Sequence, residues 1–436
     1  MLWVSWAKVS LAIGAADEQL QAVEYLKGRA LFMHEAPCME AIVSEASNRK
    51  LVLLGEASHG THEFYVWRDS ISRRLIEAHG FNFIAVEGDW ASLYALNRYV
   101  KHLPGAPGSA REALMGLERW PQWMWANQEV LALAEWLHSF NAGLKPSERV
   151  GFYGMDVYDE YRSLNEVMGV LRNYDLALAE QIGDLYACLK RFEGDSWMYA
   201  RVAVRTGQAC GQALYEALDL IGRMNAEQAG LSPDGIFYLK QNALVVKHAE
   251  KFFRYSAGGE DVRAWNARVE YMQLAVNRLL DYYGPEARGI VWAHNTHIGD
   301  ARFTEMQRIG QKNIGQLFRQ QYGMSDVFLL GFATYRGRVK AGSQWGSDRK
   351  AMRVPPAPEG SIEKLLEQTR PASFSLLFDE DFRAQPLFKT PLGNRAIGVV
   401  YNPAFDQRQY VMSIIPMRYD ALVFFRESRA LLPLHR

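Results

Sequence analysis

The sequence has 436 residues, of which 49% are apolar and 22% are charged, and its formal net charge is zero. This length exceeds what one hydrophobic core usually serves, so two or three domains are expected. The balanced charge gives no support for a nucleic-acid partner. No apolar run is long enough to span a bilayer, and the apolar segment 1–8 lacks the basic region of a signal peptide. The three cysteines, Cys38, Cys188 and Cys210, form no metal or redox motif, which favours a reducing cytoplasm.

The stretch 51–90 predicts a strand–helix–strand unit. The apolar run Leu51–Leu54 has the length of a buried strand and leads into the turn G-E-A-S-H-G at 55–60. A helical pattern follows, ends at a glycine, and precedes a second apolar run, Phe83–Val86. The two strands should be parallel neighbours. Glu56 and Glu87 would then share the sheet edge where α/β proteins bind ligands.

Later strand candidates also end in polar residues. Residues 150–153 precede Asp156, and residues 289–293 precede His294 and His297. Further strands are predicted at 327–332 and at 421–425, the last of which is expected to return to the main sheet. Between 161 and 283 the pattern is almost wholly helical, which predicts an insertion of four or five helices.

The predicted fold is α/β, a mostly parallel sheet flanked by helices, with a helical insertion and a small α+β subdomain. We expect the catalytic core to comprise residues 30–160, 286–340 and 413–436. The insertion would span 161–285 and the small subdomain 341–412. Within that subdomain, Phe374–Phe378 and Ile397–Tyr401 have strand-like composition.

Four strand ends therefore bring ionisable groups together: Glu56 with His59, Glu87, Asp156, and His294 with His297. One interpretation is metal-free hydrolysis, in which His59 takes a proton from water and Glu56 orients its ring. Arg68 or a histidine after the fourth strand would then stabilise an oxyanion.

Two other chemistries compete with this interpretation. The two histidines of His294-x-x-His297, joined by His59 and carboxylates, are a plausible ligand set for zinc or manganese. Ser58 is a candidate nucleophile, although its turn lacks the G-x-S-x-G spacing of a nucleophile elbow.

Simpler roles also remain open for several residues. Asp156 could equally cap a loop. Arg68 could equally be a solvent-exposed charge on the surface of its helix. The tryptophans at 120, 123 and 125 are more typical of core packing than of a substrate platform, as is Trp265 in the insertion.

Several motifs, taken together, resemble the erythromycin esterase family. They are GEASHGTHEF at 55–64, AVE at 85–87, GFYGMD at 151–156 and WAHNTH at 292–297, and the similarity continues through 301–306 and 395–399. It covers nearly the whole chain from about residue 30 onward. The family's characterised members open the lactone ring of macrolide antibiotics by metal-independent hydrolysis, and other members are associated with succinoglycan biosynthesis.

The resemblance implies that His59 is the general base. It implies that Glu56, Arg68, Glu87 and His294 occupy the supporting catalytic positions. The substrate-binding residues are then expected to be His297, Asp156 and Trp125.

No metal or cofactor is expected. The expected ligand is a macrolide or another ester, and no nucleic-acid or membrane partner is expected. We expect a cytoplasmic monomer or weak dimer that confers antibiotic resistance. The alternatives are a hydrolase of another ester or of a polysaccharide-linked substrate, a metal-dependent hydrolase, and a non-catalytic binding protein.

Overall fold

The protein is described by a computed structural model that covers residues 18–33, 37–224, 230–369 and 373–434. The apolar segment 1–8 lies outside the described residues. The strands are β1 (Leu31–Phe32), β2 (Leu51–Leu54), β3 (Phe83–Asp89), β4 (Gly151–Asp156), β5 (Gly289–Trp292), β6 (Val327–Ala341), β7 (Lys350–Val354), β8 (Ser373–Leu377), β9 (Leu392–Arg395), β10 (Tyr410–Ser413) and β11 (Ala421–Ser428).

Helices cover both faces of the main sheet. The first, α1, includes residues 18–29. The others are α2 (Pro37–Ala46), α3 (His62–His79), α4 (Trp90–Val100), α5 (Ala110–Met115), α6 (Gln128–Ala142), α7 (Glu160–Tyr174), α8 (Leu176–Lys190), α9 (Ser196–Thr206), α10 (Gly211–Gly222), α11 (Pro233–Ala257), α12 (Asp261–Tyr283), α13 (Asn295–Ile298), α14 (Ile314–Tyr322), α15 (Ile362–Glu367), α16 (Glu380–Ala384) and α17 (Ile415–Arg418). None of these helices, as far as the described ranges extend, is long and apolar enough to cross a bilayer.

The main sheet has the order β1-β8-β11-β6-β2-β5-β3-β4, and β7 pairs with the far end of β6. The six strands from β11 to β4 are mutually parallel, whereas β1, β7 and β8 pair antiparallel. This confirms the predicted α/β class and its mostly parallel sheet. Because the ends of β2, β3, β4 and β5 point the same way, their following residues meet at one edge.

The expectation that β2 and β3 are neighbours is wrong, because β5 lies between them. Val52 of β2 and Ile84 of β3 both pair with Ile290 of β5. Strands that are consecutive in sequence usually lie side by side. The crossover rule, however, requires only that two parallel strands belong to the same sheet and that their connection is right-handed, so another strand can lie between them. The fully buried run Gly289–Trp292 fills the central position, and it places His294 between the residues that follow β2 and β3.

The local pattern of the first unit is confirmed. Helix α3 buries Phe64, Ile71 and Leu75 against the sheet, as the spacing of three and four predicts. Gly80 ends the helix with φ 69°, a left-handed conformation that glycine adopts at no steric cost.

The helical insertion lies between β4 and β5, as predicted, but its described residues form six helices, α7 to α12, where four or five were expected. Helix α12 packs against β4 and β5, which brings the insertion onto the sheet. Gln241 and Asn242 of α11 are completely buried.

The region 341–412 departs from the sequence-based expectation in two places. Strand β8 pairs with β11 in the main sheet, so Ser373–Leu377 extends that sheet rather than a separate one. Residues 397–401 form no continuous strand, because Ile397 bridges Ser58 and Val400 bridges Gly342 in isolated pairs. Strands β9 and β10 do form a small antiparallel sheet. The division of the chain into three units stays a prediction.

Two of the three cysteines are paired, contrary to the sequence-based interpretation. Cys188, in α8, and Cys210, just before α10, form a disulfide with their Cα atoms 6.0 Å apart. Cys38 is buried beside Ser375. Sequence spacing did not reveal the pair because the packing of the insertion helices, rather than the chain between them, brings the two sulfur atoms together.

Candidate active site

The turn after β2 threads a narrow gap between α13 and β6. A Cβ at Gly55 would lie 2.2 Å from Asn295 Oδ1, and one at Gly60 would lie 1.9 Å from Lys340 O. Only glycine fits at these two approaches. They fix the positions of the residues between them, Glu56 and His59.

Glu56 links His59 to a buried arginine. Its Oε1 lies 3.0 Å from His59 Nδ1, and its Oε2 accepts a hydrogen bond of 2.9 Å from Arg68 Nη2. Neutral His59 therefore donates its Nδ1 proton to the carboxylate, which leaves Nε2 as the acceptor for a ligand. Tyr65 Oη donates a hydrogen bond of 3.0 Å to the backbone oxygen of His59, which stabilises the turn.

The electrostatic surroundings separate His59 from the neighbouring His294. Burial alone would lower the pKa of His59, but the hydrogen bond to Glu56 and the negative charges of Glu87 and Glu56 raise it above its ordinary value. Burial and the nearby His59 lower the pKa of His294 well below its ordinary value. The two rings are 4.9 Å apart. The two imidazoles therefore have pKa values shifted in opposite directions. This arrangement suits His59 as a proton acceptor and His294 as a neutral hydrogen-bond donor.

His294 is held as a neutral donor by the start of α13. The backbone N–H of Thr296 donates to its Nδ1 over 3.3 Å, and the hydroxyl of Thr296 lies 2.9 Å from the same atom. Because Nδ1 accepts, the proton of the neutral ring lies on Nε2. Within the described part of the chain, this buried Nε2 has no hydrogen-bond partner of good geometry. The backbone oxygen of Ala57 also interacts with this ring, so a ligand would compete with that oxygen for the Nε2 proton.

A second charged cluster surrounds Glu87. Its Oε2 accepts the backbone N–H of His294 at 2.9 Å, and its Oε1 accepts Arg268 Nη2 at 2.8 Å. Arg268 also binds Asp156 through two hydrogen bonds, of 2.8 and 2.6 Å. His297 Nε2 lies 3.0 Å from Arg268 Nη1 and 3.2 Å from Glu87 Oε1. Arg268 thus ties the ends of β3 and β4 to helix α12 of the insertion.

These contacts keep Glu87 ionised. Burial opposes ionisation, but the adjacent His297, His59 and Arg268 hold the pKa of Glu87 well below its ordinary value. The ring of Trp265 stacks on His297 with centroids 4.6 Å apart and planes 8° from parallel. The stacking fixes the imidazole in the wall of the site.

A cleft of about 690 Å³ opens above these residues. Its floor is formed by His59, Glu87, Asp156, Arg268, His294 and His297. Its walls include Met124, Tyr158, Trp265, Met306, Trp345 and Val399. A larger cavity, of about 940 Å³, lies beside Lys340 and Arg349 and contains none of the floor residues. The chemistry of the floor, rather than cavity volume, identifies the candidate site.

Three predicted site residues do not line this cleft: Glu56, which lies behind His59, Arg68 and Trp125. Arg68 has no exposed surface and lies over the rings of Tyr65, at 4.1 Å, and Trp292, at 4.7 Å. It cannot reach an oxyanion in the cleft, but it can position Glu56. Trp125 is also buried, 6.3 Å from Tyr65, and the expectation that it contacts substrate is not matched by its position.

Two residues of the site do not follow from the sequence patterns: Arg268 carries no motif, and Trp265 is more typical of core packing. Both lie on α12, three residues apart, and therefore on one helix face. Arg268 is flanked by the buried residues Ala264, Ala267 and Met272. A lone arginine on the apolar face of a helix needs a buried partner, and this was the available signal.

The serine alternative loses support from the geometry. Ser58 is 2% exposed, its Oγ is hydrogen-bonded to Thr61 Oγ1, and it is not part of the cleft lining. The proposed metal ligands also fit poorly. The guanidinium of Arg268 lies against His297 Nε2, where it would repel a cation. Among the residues that the structure describes, no three His, Cys, Asp or Glu side chains form a group suited to a metal ion.

Comparison with known proteins places the chain in a family. A curated relative, erythromycin esterase type II of Escherichia coli, is 22% identical over 342 residues, which cover 73% of this chain and 78% of the relative. A solved structure of a Bacillus cereus protein superposes with a TM-score of 0.78 at 18% identity, covering 96% of this chain and 99% of that one. A succinoglycan biosynthesis protein gives 0.76 at 18% identity, covering 95% and 98%.

A third solved structure, an erythromycin esterase mutant in its open conformation, gives a TM-score of 0.62 at 16% identity, covering 89% and 93%. Identities this low in solved structures show the fold alone. The family model named erythromycin esterase matches residues 76–428, beginning within α3 and after Glu56 and His59. Because that match spans most of the chain, the protein belongs to the erythromycin esterase family, and this membership supports a hydrolase activity of the esterase type.

Proposed function

We propose that this protein hydrolyses the lactone ester of macrolide antibiotics, using a water molecule activated by His59 and no metal ion. The observation that carries the proposal is the hydrogen bond of 3.0 Å between Glu56 and His59 Nδ1, which leaves the opposite ring nitrogen as a proton acceptor in the cleft. A positioned imidazole of this kind contributes about 10²–10⁴-fold to the rate of proton transfer.

The reaction follows from the two histidines. His59 Nε2 takes a proton from water as the water oxygen bonds to the ester carbonyl carbon, and the carbonyl electron pair moves onto its oxygen. The Nε2 proton of His294 stabilises that oxyanion, and Glu56 stabilises the imidazolium of His59. When the tetrahedral intermediate collapses, the bond to the alkoxy oxygen breaks and His59 returns the proton to it. One water is added, and the ring opens to a hydroxy acid.

Arg268 supports the metal-free form of this mechanism. Its guanidinium binds Glu87 and Asp156 and lies 3.0 Å from His297 Nε2, so a fixed positive charge occupies the position that a cation would need. Incubation with a chelator should leave the rate unchanged. A rate that falls with the chelator and returns with added zinc or manganese would favour the metal-dependent alternative.

A second candidate is hydrolysis of an ester substituent on a polysaccharide. The fold similarity to a succinoglycan biosynthesis protein, with a TM-score of 0.76, favours including this class. The volume of the cleft, about 690 Å³, is within the range of about 300–1,000 Å³ typical of ligand sites and does not separate the two substrates. We further propose a cytoplasmic monomer or weak dimer that confers macrolide resistance. In that compartment Cys188 and Cys210 would be reduced, because disulfides rarely persist there.

The experiment is mass spectrometry of a macrolide panel and of acetylated oligosaccharides after incubation with purified protein. His59→Gln should abolish turnover. The matched control is His62→Gln, because His62 also pairs with a glutamate, Glu129 at 2.6 Å, but does not line the cleft. A gain of one water on a macrolide, lost only in His59→Gln, would support the proposal. Turnover retained in His59→Gln would refute the role of the base.

Other outcomes separate the alternatives. Loss of acetyl groups from the oligosaccharides, with intact macrolides, would favour the second candidate. Saturable macrolide binding with unchanged ligand mass would favour a binding protein that sequesters the drug.

A further inference from the structure

A smaller cavity adjoins the candidate active site. Its volume is about 430 Å³, and it shares Arg119, Tyr158 and Trp345 with the larger cleft. Its other walls are the turn 194–196 and the side chains of Trp120, Trp197, Phe252 and Phe253. The two cavities therefore adjoin at the three shared residues. We call the smaller cavity the aromatic pocket.

The walls of the aromatic pocket support one another. Tyr158 contacts Phe252 edge-on with ring centroids 5.1 Å apart, and Trp120 lies 4.6 Å from Trp345. Trp197 likewise meets Phe253 edge-on at 5.3 Å. Aromatic contacts of this kind favour a fixed arrangement. The pocket is thus built before a ligand arrives, from the insertion on one side and the sheet's loops on the other.

The polar groups at its boundary already have partners. Arg119 Nε pairs with Asp89, and its guanidinium lies 4.7 Å from the ring centroid of Tyr158. Asp195 caps helix α9 by accepting the backbone N–H of Met198 at 2.7 Å. Arg119 is thus neutralised by Asp89, whereas Asp195 keeps its negative charge at the edge of the pocket and disfavours an anionic ligand. Because the other walls are mostly aromatic, the ligand chemistry that fits best is uncharged and apolar.

Two tryptophan side chains of the aromatic pocket expose much of their apolar surface to solvent. Trp197 is 46% exposed and Trp345 is 62% exposed, although each lines the aromatic pocket. Covering large apolar side chains is favourable in proportion to the area removed from water. A ligand that lies in the pocket would cover both rings.

We propose that the aromatic pocket is a second substrate subsite, which binds an uncharged, apolar and ring-bearing part of the ester whose carbonyl lies over His59. This inference rests on the proposed ester hydrolysis and narrows its substrate class to bulky hydrophobic esters. The pocket would then determine which esters are preferred, while His59 and His294 determine the reaction.

The test compares two methyl esters that share one reaction but differ in size, methyl acetate and methyl 4-phenylbutyrate. The wild type should prefer the larger ester in kcat/KM. Trp197→Ala and Phe252→Ala should each reduce that preference about tenfold, mainly through KM, as expected when an apolar contact in a binding pocket is lost. Tyr215→Ala, an exposed aromatic of the same insertion that does not line the pocket, should keep the wild-type ratio. An unchanged preference in both pocket variants would overturn the subsite.

A binding measurement separates failure of the subsite from failure of the proposed function. 5-Phenylpentan-2-one is the ketone counterpart of the larger ester and has no leaving group, so its binding does not depend on turnover. If neither these esters nor the macrolide panel is hydrolysed, the proposed function fails; if only the two methyl esters resist, it stands. In both cases calorimetry with this ketone decides about the pocket. Binding that weakens about tenfold in Trp197→Ala but not in Tyr215→Ala would support the subsite. Equal binding in all variants, or none in the wild type, would overturn it.

Discussion

The replacement of Glu56 by Gln probes the centre of the proposed mechanism with almost no change in shape. Glu56 uses one oxygen for His59 Nδ1 at 3.0 Å and the other for Arg68 Nη2 at 2.9 Å. An amide has only one oxygen to offer. Arg68 is completely buried and permanently charged, and Glu56 is its ion partner. The amide oxygen should therefore turn to Arg68, which leaves the amide N–H groups against His59.

The expected loss of activity is large. An N–H group facing Nδ1 forces that nitrogen to accept, so the ring proton moves to Nε2 and His59 can no longer take a proton from water. In a comparable histidine–carboxylate pair, the same change lowers kcat about 10⁴-fold through the wrong tautomer. We expect about 10³–10⁴-fold in kcat/KM for Glu56→Gln, or about 4–5.5 kcal/mol of transition-state stabilisation.

The assay is steady-state hydrolysis of the best macrolide, with circular dichroism to verify the fold. Glu63→Gln is the matched control, because Glu63 also pairs with an arginine, Arg429 at 2.8 Å, but lies outside the cleft lining. It should keep wild-type kcat/KM.

A second variant separates the tautomer from a general loss of charge. Arg68→Met removes the competitor for the amide oxygen and fills the space between the rings of Tyr65 and Trp292 with an apolar side chain. In the double variant the amide can offer its oxygen to His59, so kcat/KM should be about tenfold higher than in Glu56→Gln alone. This gain is smaller than the roughly 10⁴-fold loss that a wrong tautomer causes. A folded Glu56→Gln within threefold of the wild type would refute the mechanism, and a double variant no better than the single one would refute the tautomer argument.

Three further predictions follow from the same contacts. Only neutral His59 accepts a proton, so kcat/KM should rise with pH and level off above a pKa that lies higher than the ordinary value of about 6.5; an inflection below that value would contradict the assignment. Arg268→Met leaves two buried carboxylates without their partner and should lower the free energy of unfolding by about 3–5 kcal/mol in chemical denaturation, whereas Arg263→Met, at an exposed position, should leave it nearly unchanged. Gly60→Ala would place a Cβ 1.9 Å from a backbone oxygen of β6 and should lower Tm, whereas Gly169→Ala, in a helix with free space around it, should raise it; equal shifts would contradict the steric argument.

The local elements and most of the cleft floor could be predicted from sequence because their signals are short-range. The spacing in α3 and the glycine at its end identify the helix, and each acid or imidazole after an apolar run marks the end of a strand. Those signals place Glu56, His59, Glu87 and His294 at one edge, where the structure has them.

The remaining features depend on contacts between distant parts of the chain. The position of β5 between β2 and β3 is determined by side-chain packing across the sheet, which hydrophobic patterns do not specify. Arg268 is 112 residues from Asp156 and 181 from Glu87, and its hydrogen bonds exist only once α12 packs on the sheet. The burial of Trp125 and Arg68 likewise depends on which neighbours cover them.

The balance of charge in the cleft floor and the residues behind it has a consequence for release of the product. When the imidazoles are neutral, three carboxylates, Glu56, Glu87 and Asp156, are held there against two guanidiniums, Arg68 and Arg268, so one negative charge is in excess. An uncharged ester does not sense this excess strongly, but hydrolysis creates an acid that ionises at neutral pH. The new carboxylate meets a like charge in surroundings that screen it poorly. An esterase built in this way would expel its own product, and accumulated acid would inhibit it only weakly.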